Sequence, residues 1–109
     1  MTDRIAIYVP SLRGGGAERV MTILANSFAA RGLAVDLVLA KAKGPYLKDV
    51  SDAVRVVDLG SSRVLFSLPG LARYLRRERP LAMLSALSHA NVVAVWAKQL
   101  ARISTRLVL

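Results

Sequence analysis

The stretch Pro10-Ser11-Leu12-Arg13-Gly14-Gly15-Gly16-Ala17-Glu18 holds the residues of this chain best suited to ligand chemistry. Three consecutive glycines allow a sharp backbone turn and leave no Cβ in the way of a ligand. Before them runs Ile5-Ala6-Ile7-Tyr8-Val9, which reads as a strand buried on both faces. After them Val20, Met21, Leu24, Ala25 and Phe28 recur at helical spacing. A glycine turn between a strand and a helix start presents backbone N–H groups and the positive end of a helix dipole. A phosphate or diphosphate can sit there. The same glycines also suit a tight turn with no ligand, and Glu18 favours the helix N-terminus by its charge.

The phosphate loops with stricter spacing do not fit. A dinucleotide fingerprint places glycines at its first, third and sixth positions; Gly14 and Gly16 fill two, and Arg19 stands at the sixth. It also wants an acidic residue at the end of the second strand for the ribose. That strand reads Ala34 to Ala40 and runs into Lys41, with Asp36 early in it, at the wrong end. A Walker loop needs Gly-Lys followed by Ser or Thr, and none occurs.

A second polar cluster, Ser88-His89-Ala90-Asn91, follows the apolar run 81–87. His89 is the single histidine, and its side chain alone has an unperturbed pKa near neutrality. It is either a helix-start residue bonded to backbone or a weak catalytic candidate where an acceptor hydroxyl approaches. Asn91 is a polar helix-start residue or an acceptor contact. With one histidine and no cysteine, neither a multi-histidine nor a thiolate metal site is available.

The elements that must position these clusters follow from pattern. Strands are expected over Arg4–Val9, Leu33–Ala40, Arg55–Leu59 and Leu81–Leu87, with a fifth beginning at Arg106–Leu109. Helices are expected over Ala17–Arg31, closed by Gly32, over Ser67–Arg79, and over His89–Arg102. The first helix lays Val20, Met21, Leu24 and Phe28 on the sheet. The second lays Leu68, Leu71, Ala72 and Leu75 there and crowds Arg73, Arg76, Arg77 and Arg79 on its other side and C-terminal end. Pro69 falls in its first turn and Pro80 stops it. Lys41–Asp52 reads as a polar loop. Strands alternating with helices predict right-handed βαβ units, a parallel sheet with helices on both faces and the order 3-2-1-4-5. Ligands then bind between strands one and four, beyond their carboxyl ends, where both polar clusters converge.

The chain has 109 residues, enough for one domain, and 54% of them are hydrophobic. No apolar run reaches the length of a membrane span, and Ile5–Val9 is too short for a signal peptide, which gives a cytoplasmic reading. The net charge is +9, with twelve arginines among the sixteen basic residues. Such a balance attracts polyanions: nucleic acid, anionic lipid or phosphorylated substrate. It is also met in a plain solvated basic surface.

The strand, Pro-Ser-Leu, Gly-Gly-Gly-Ala-Glu-Arg and the helix closed by Arg31-Gly32 resemble the N-terminal domain of group 1 glycosyltransferases, retaining enzymes of the GT-B fold. The resemblance returns over Leu81–Leu109, where Met83-Leu84-Ser85-Ala86-Leu87-Ser88-His89-Ala90-Asn91 is similar to the fourth strand and its exit loop. It implies a Rossmann-like, acceptor-side domain, of which residues 1–109 form an incomplete part, followed by a donor-binding domain. It implies transfer of a sugar from a nucleotide-sugar to a glycan or lipid-linked acceptor in cell-surface polysaccharide or glycolipid synthesis, with the donor as substrate and neither cofactor nor metal. Gly14, Gly15, Gly16 and Glu18 would face the donor diphosphate in the cleft; Ser88, His89 and Asn91 would lie on the acceptor side. The family's histidine at the end of strand four aligns with Leu87, two residues before His89. Arg73, Arg76, Arg77 and Arg79 would face an anionic membrane surface, with no nucleic acid as partner. The 109 residues alone are expected to turn over no substrate and to self-associate. The alternatives are a non-catalytic Rossmann-like module for an anionic ligand or nucleic acid, and half of a dinucleotide-dependent oxidoreductase.

Overall fold

In the computed structural model residues 4–9, 16–42, 44–61, 67–85, 95 and 106–108 are described. Five strands, β1 (Arg4–Val9), β2 (Ala34–Leu39), β3 (Val54–Asp58), β4 (Ala82–Ser85) and β5 (Arg106–Val108), form one sheet in the order β3-β2-β1-β4-β5. Every pairing is parallel. β1 is central: Ile7 lies opposite Leu37 of β2 on one side and Leu84 of β4 on the other. Ala6, Ile7, Tyr8 and Val9 are fully buried, as a near-continuous apolar strand covered on both faces must be.

Alternation along the strands divides the core in two. Ile7, Val9, Val35, Leu37 and Leu39 face α1 (Gly16–Ala30), which buries Met21 and Ala25 against them, with Leu24 and Phe28 partly buried alongside. Ala6, Tyr8, Val38 and Met83 face α2 (Leu68–Glu78), which contributes Leu71, Ala72, Tyr74 and Leu75. Each fully buried Leu there contributes about 2 kcal/mol relative to exposure. The two helices thus cover opposite faces of an open, Rossmann-like parallel sheet.

Val20 departs from the expected stripe. A helix turns about 100° per residue, so Met21, Ala25 and Phe28 define the inward line. Val20 and Ile23 fall on the other side, each 53% exposed. α1 ends as its sequence requires: Gly32 has φ 88°, the Leu33 N–H donates to the Phe28 carbonyl at 3.2 Å, and the Gly32 N–H to that of Ala29 at 3.0 Å. This is a Schellman closure, which favours glycine at the left-handed position.

The expected loop after β2 contains a 3-10 turn, Pro45–Asp49. Pro45 presets φ at its start. Asn26 of α1 pins its far end, donating to the Asp49 carbonyl at 2.9 Å and accepting the Ser51 N–H at 2.8 Å. α2 closes on Arg79, left-handed at φ 45°, whose N–H reaches the Leu75 carbonyl at 2.9 Å. Of the helix expected over His89–Arg102 only Val95, in helical conformation, is among the described residues. No helix of the described residues is long and apolar enough to cross a membrane.

Candidate functional site

From β1 the chain moves outward through β2 to β3, then returns to β4 on the other side of β1. The strand order therefore reverses between β1 and β4, whose carboxyl ends stand side by side with Tyr8 opposite Ser85. Ligands of open α/β sheets bind at this point. α1 starts here, at Gly16, with Glu18 partly buried in its first turn. The Glu18 carbonyl accepts the Thr22 hydroxyl at 3.0 Å. Gly14, Gly15, Leu87, Ser88, His89 and Asn91 lie outside the described residues. Among the described residues, Gly16 opens the helix that follows β1, and Ser85 ends β4.

On the α2 face of the sheet, sequence reasoning missed two buried groups. The Tyr8 and Ser67 hydroxyls share a buried hydrogen bond of 2.5 Å. Burial raises the Tyr8 phenol above its ordinary pKa, and the bond to Ser67 works against that rise. Ser85 is 3% exposed, and its Oγ has no hydrogen-bond partner. The one legible signal was hydroxyl groups in runs that are otherwise apolar.

Charge collects at the opposite, amino end of the sheet. Asp36 is completely buried. Its Oδ1 accepts from Arg4 at 2.6 Å and from Arg55 Nε at 3.0 Å. Its Oδ2 accepts from Arg55 Nη2 at 2.7 Å and from the Tyr74 hydroxyl at 2.6 Å. Arg55 also reaches Glu78 at 2.9 Å. The hydrogen bond to Asp36 raises the Arg55 guanidinium above its ordinary pKa, and burial opposes this. All the lone pairs of Asp36 face protein donors, far from the ligand end. It ties β1, β2, β3 and α2 together and offers nothing to a ribose. Where a dinucleotide fold would carry its acidic residue, β2 ends on Leu39 and leads into Ala40 and Lys41.

Arg73, Arg76, Arg77 and Arg79 are all exposed, on and just beyond α2. Arg77 contacts Glu78 at 3.2 Å. Arg73 and Arg77 also line a groove of about 230 Å³ between α2 and the β3 edge, smaller than ordinary small-molecule pockets. The basic surface faces solvent while Leu71, Ala72 and Leu75 are committed to the sheet.

Fold and site together define the chain as an open, doubly wound α/β sheet with a glycine-led helix start at its switch point. Neither a family model nor a curated protein matches the chain.

Proposed function

We propose that this chain is the acceptor-side part of a nucleotide-sugar-dependent, retaining glycosyltransferase. In this reading the Gly14–Gly16 turn and Glu18 receive the donor diphosphate. Ser88, His89 and Asn91 border the acceptor, a glycan or a lipid-linked intermediate of cell-surface synthesis. The observation that carries the reading is the entry of α1 at Gly16 beside the strand-order reversal between β1 and β4. There a helix N-terminus and a glycine turn supply N–H groups to a diphosphate. The engagement of Asp36 by Arg4, Arg55 and Tyr74 weighs against the nicotinamide alternative, which needs a free carboxylate at the other end of β2.

Sugar transfer requires the leaving diphosphate to be stabilised as charge develops on it. In the family this chain resembles, most of that work belongs to a second domain. The reading therefore expects no turnover from the 109 residues alone. The test is transfer of labelled sugar from a panel of nucleotide-sugars to extracted lipids and glycans, by a longer protein carrying this segment and by the segment itself. Transfer by the longer protein, lowered more than its stability by Gly15→Val, supports the reading. No transfer from any donor removes it.

A further inference from the structure

We propose that the outer edge of β3 takes up an extended acidic segment of a partner protein, whose alternate carboxylates pair with Arg73 and Arg77 of α2. β3 ends the sheet, and among the described residues it pairs with β2 alone. The Leu59 N–H donates to the Leu39 carbonyl at 2.9 Å. By the two-residue alternation of a strand, Leu59 and Val57 therefore direct their main-chain groups to β2, and Val56 and Asp58 direct theirs away from it. A strand added at this edge finds donors and acceptors there. The inference does not depend on the proposed sugar transfer.

α2 builds the wall beside this edge. A Cβ added at Gly70 would stand 3.5 Å from Leu59 Cδ2, and Glu78 meets Arg55 at 2.9 Å. α2 therefore runs antiparallel over β3, from Leu59 back to Arg55. The groove of about 230 Å³ between them has Val57 and Leu59 on the strand side and Arg73, Tyr74 and Arg77 on the helix side. It is too small for an ordinary small molecule but suits the alternate side chains of a strand laid along it. Arg73 and Arg77 are one helical turn apart, about 6 Å along the axis. Alternate residues of a strand are about 6.6 Å apart and share a face. An added strand thus brings its residues i and i+2 to the two guanidinium groups. Charge selects their type. No ion pair or hydrogen bond engages Arg73 within the described residues, and Arg77 is engaged by Glu78 at 3.2 Å. Asp58, the acidic residue lining the groove, has its Oδ1 held by the N–H groups of Ala42 and Gly60. A net charge of +9 adds long-range attraction for an acidic partner. A second copy of this chain does not supply the segment: none of its seven Asp and Glu residues stands two positions from another.

The test is fluorescence anisotropy of a labelled short peptide alternating Val with Glu, titrated with the 109-residue chain. Saturable binding is expected. A peptide of the same composition with its Glu residues consecutive keeps the charge but loses the alternation, and should bind about tenfold more weakly. N-methylation of the Glu amides in one peptide and of the Val amides in another should abolish binding in one and spare the other, because amides facing β3 alternate with those facing away. These peptide arms leave the protein unaltered. Arg73→Gln and Arg77→Gln together should weaken binding about tenfold, the loss of two exposed ion pairs. Arg76→Gln and Arg79→Gln together should change it less than about twofold, with circular dichroism checking that both variants keep the fold. No binding, equal binding of the reordered peptide, or equal effects of the two N-methylated peptides would overturn the inference. Equal losses from the two arginine pairs would overturn it too, since that is the response of a diffuse basic face such as an anionic bilayer would meet.

Discussion

The Tyr74 hydroxyl donates to Asp36 Oδ2 at 2.6 Å, joining the middle of α2 to the amino half of β2 in the buried layer between them. The bond orients a carboxylate that also holds Arg4 and Arg55. α2 is thereby fixed at both ends of the sheet, by Tyr74 at the amino end and by the Ser67–Tyr8 pair at the carboxyl end.

Asp36→Asn should destabilise the fold by about 3 kcal/mol, because removing one partner of a buried ion pair strands the others. Arg4 and Arg55 keep Glu78 and partial access to water, their side chains being 29% and 46% exposed, which holds the loss at that level. Tyr74→Phe should cost about 2 kcal/mol, the usual worth of a hydrogen bond to a charged group. Urea unfolding followed by circular dichroism measures both. A change below about 0.5 kcal/mol in Asp36→Asn would show that the cluster stabilises nothing.

The same cluster sets two limits in pH. Burial first, and then the hydrogen bond to Asp36, push the Tyr74 phenol far above its ordinary value of 10.0. The folded protein keeps a proton that the unfolded chain releases, so this contribution is complete below pH 10 and declines as pH rises past it. For Glu78 the hydrogen bond from Arg55 lowers the pKa below 4.5, and burial opposes it. Its contribution is present above that value and lost as pH falls through the lower, folded one. Thermal midpoints at about pH 3, 7 and 11 should fall at both extremes. Tyr74→Phe should flatten the alkaline limb and Glu78→Gln the acid limb.

The sheet was legible because its signals are local. Ile5–Val9 is a short apolar run, Val35–Leu39 is apolar but for Asp36, and Gly32, Pro69 and Pro80 punctuate the helices where they fall. Two helices alternating with strands then leave few strand orders open. Long-range polar partnerships carry no such signal. Asp36 finds Arg4 and Tyr74 at separations of 32 and 38 residues, and Tyr8 finds Ser67 at 59. Asp36 was readable only as an acid at the wrong end of its strand for a ribose. The misassignment of Val20 has a simpler cause: Val20, Met21 and Ile23, three apolar positions within four residues, cannot all face one sheet, and burial follows the line that Ala25 and Phe28 continue. The turn at Pro45–Asp49 depends on Asn26 of another element, which spacing alone does not reveal.

Arg79→Gly should stabilise the fold by about 1 kcal/mol. Arg79 is the one described non-glycine residue with positive φ, at 45°. A left-handed closing position costs a residue with a Cβ about that much relative to glycine. Its backbone N–H bond to Leu75 survives the change. Equal urea midpoints for the two proteins would show that the Arg79 side chain makes good its backbone cost.

The exposed arginines of α2 lead to the last prediction. Arg73, Arg76 and Arg77 stand on α2 and Arg79 directly follows it, all accessible to solvent, with a net charge of +9 behind them. A basic residue near an anionic bilayer contributes about 1 kcal/mol, so the prediction is that these four dock the chain reversibly on an anionic surface at low salt. The apolar side of α2 cannot add to this by insertion. Leu71 and Leu75 are fully buried under it, and Tyr74 is tied to Asp36. Docking must therefore be electrostatic, and salt must weaken it over a screening length of about 8 Å at physiological ionic strength. Arg77 spends part of its charge on Glu78, so its replacement should matter less than that of Arg73. Co-sedimentation with anionic vesicles at low salt, loss of binding at high salt, and absence of binding to neutral vesicles are the expected results. Replacing the four arginines with glutamine should abolish the binding while leaving the unfolding midpoint near that of the native chain. Equal sedimentation with both vesicle types, or undiminished binding by the fourfold variant, would place the basic face of α2 in solvent alone.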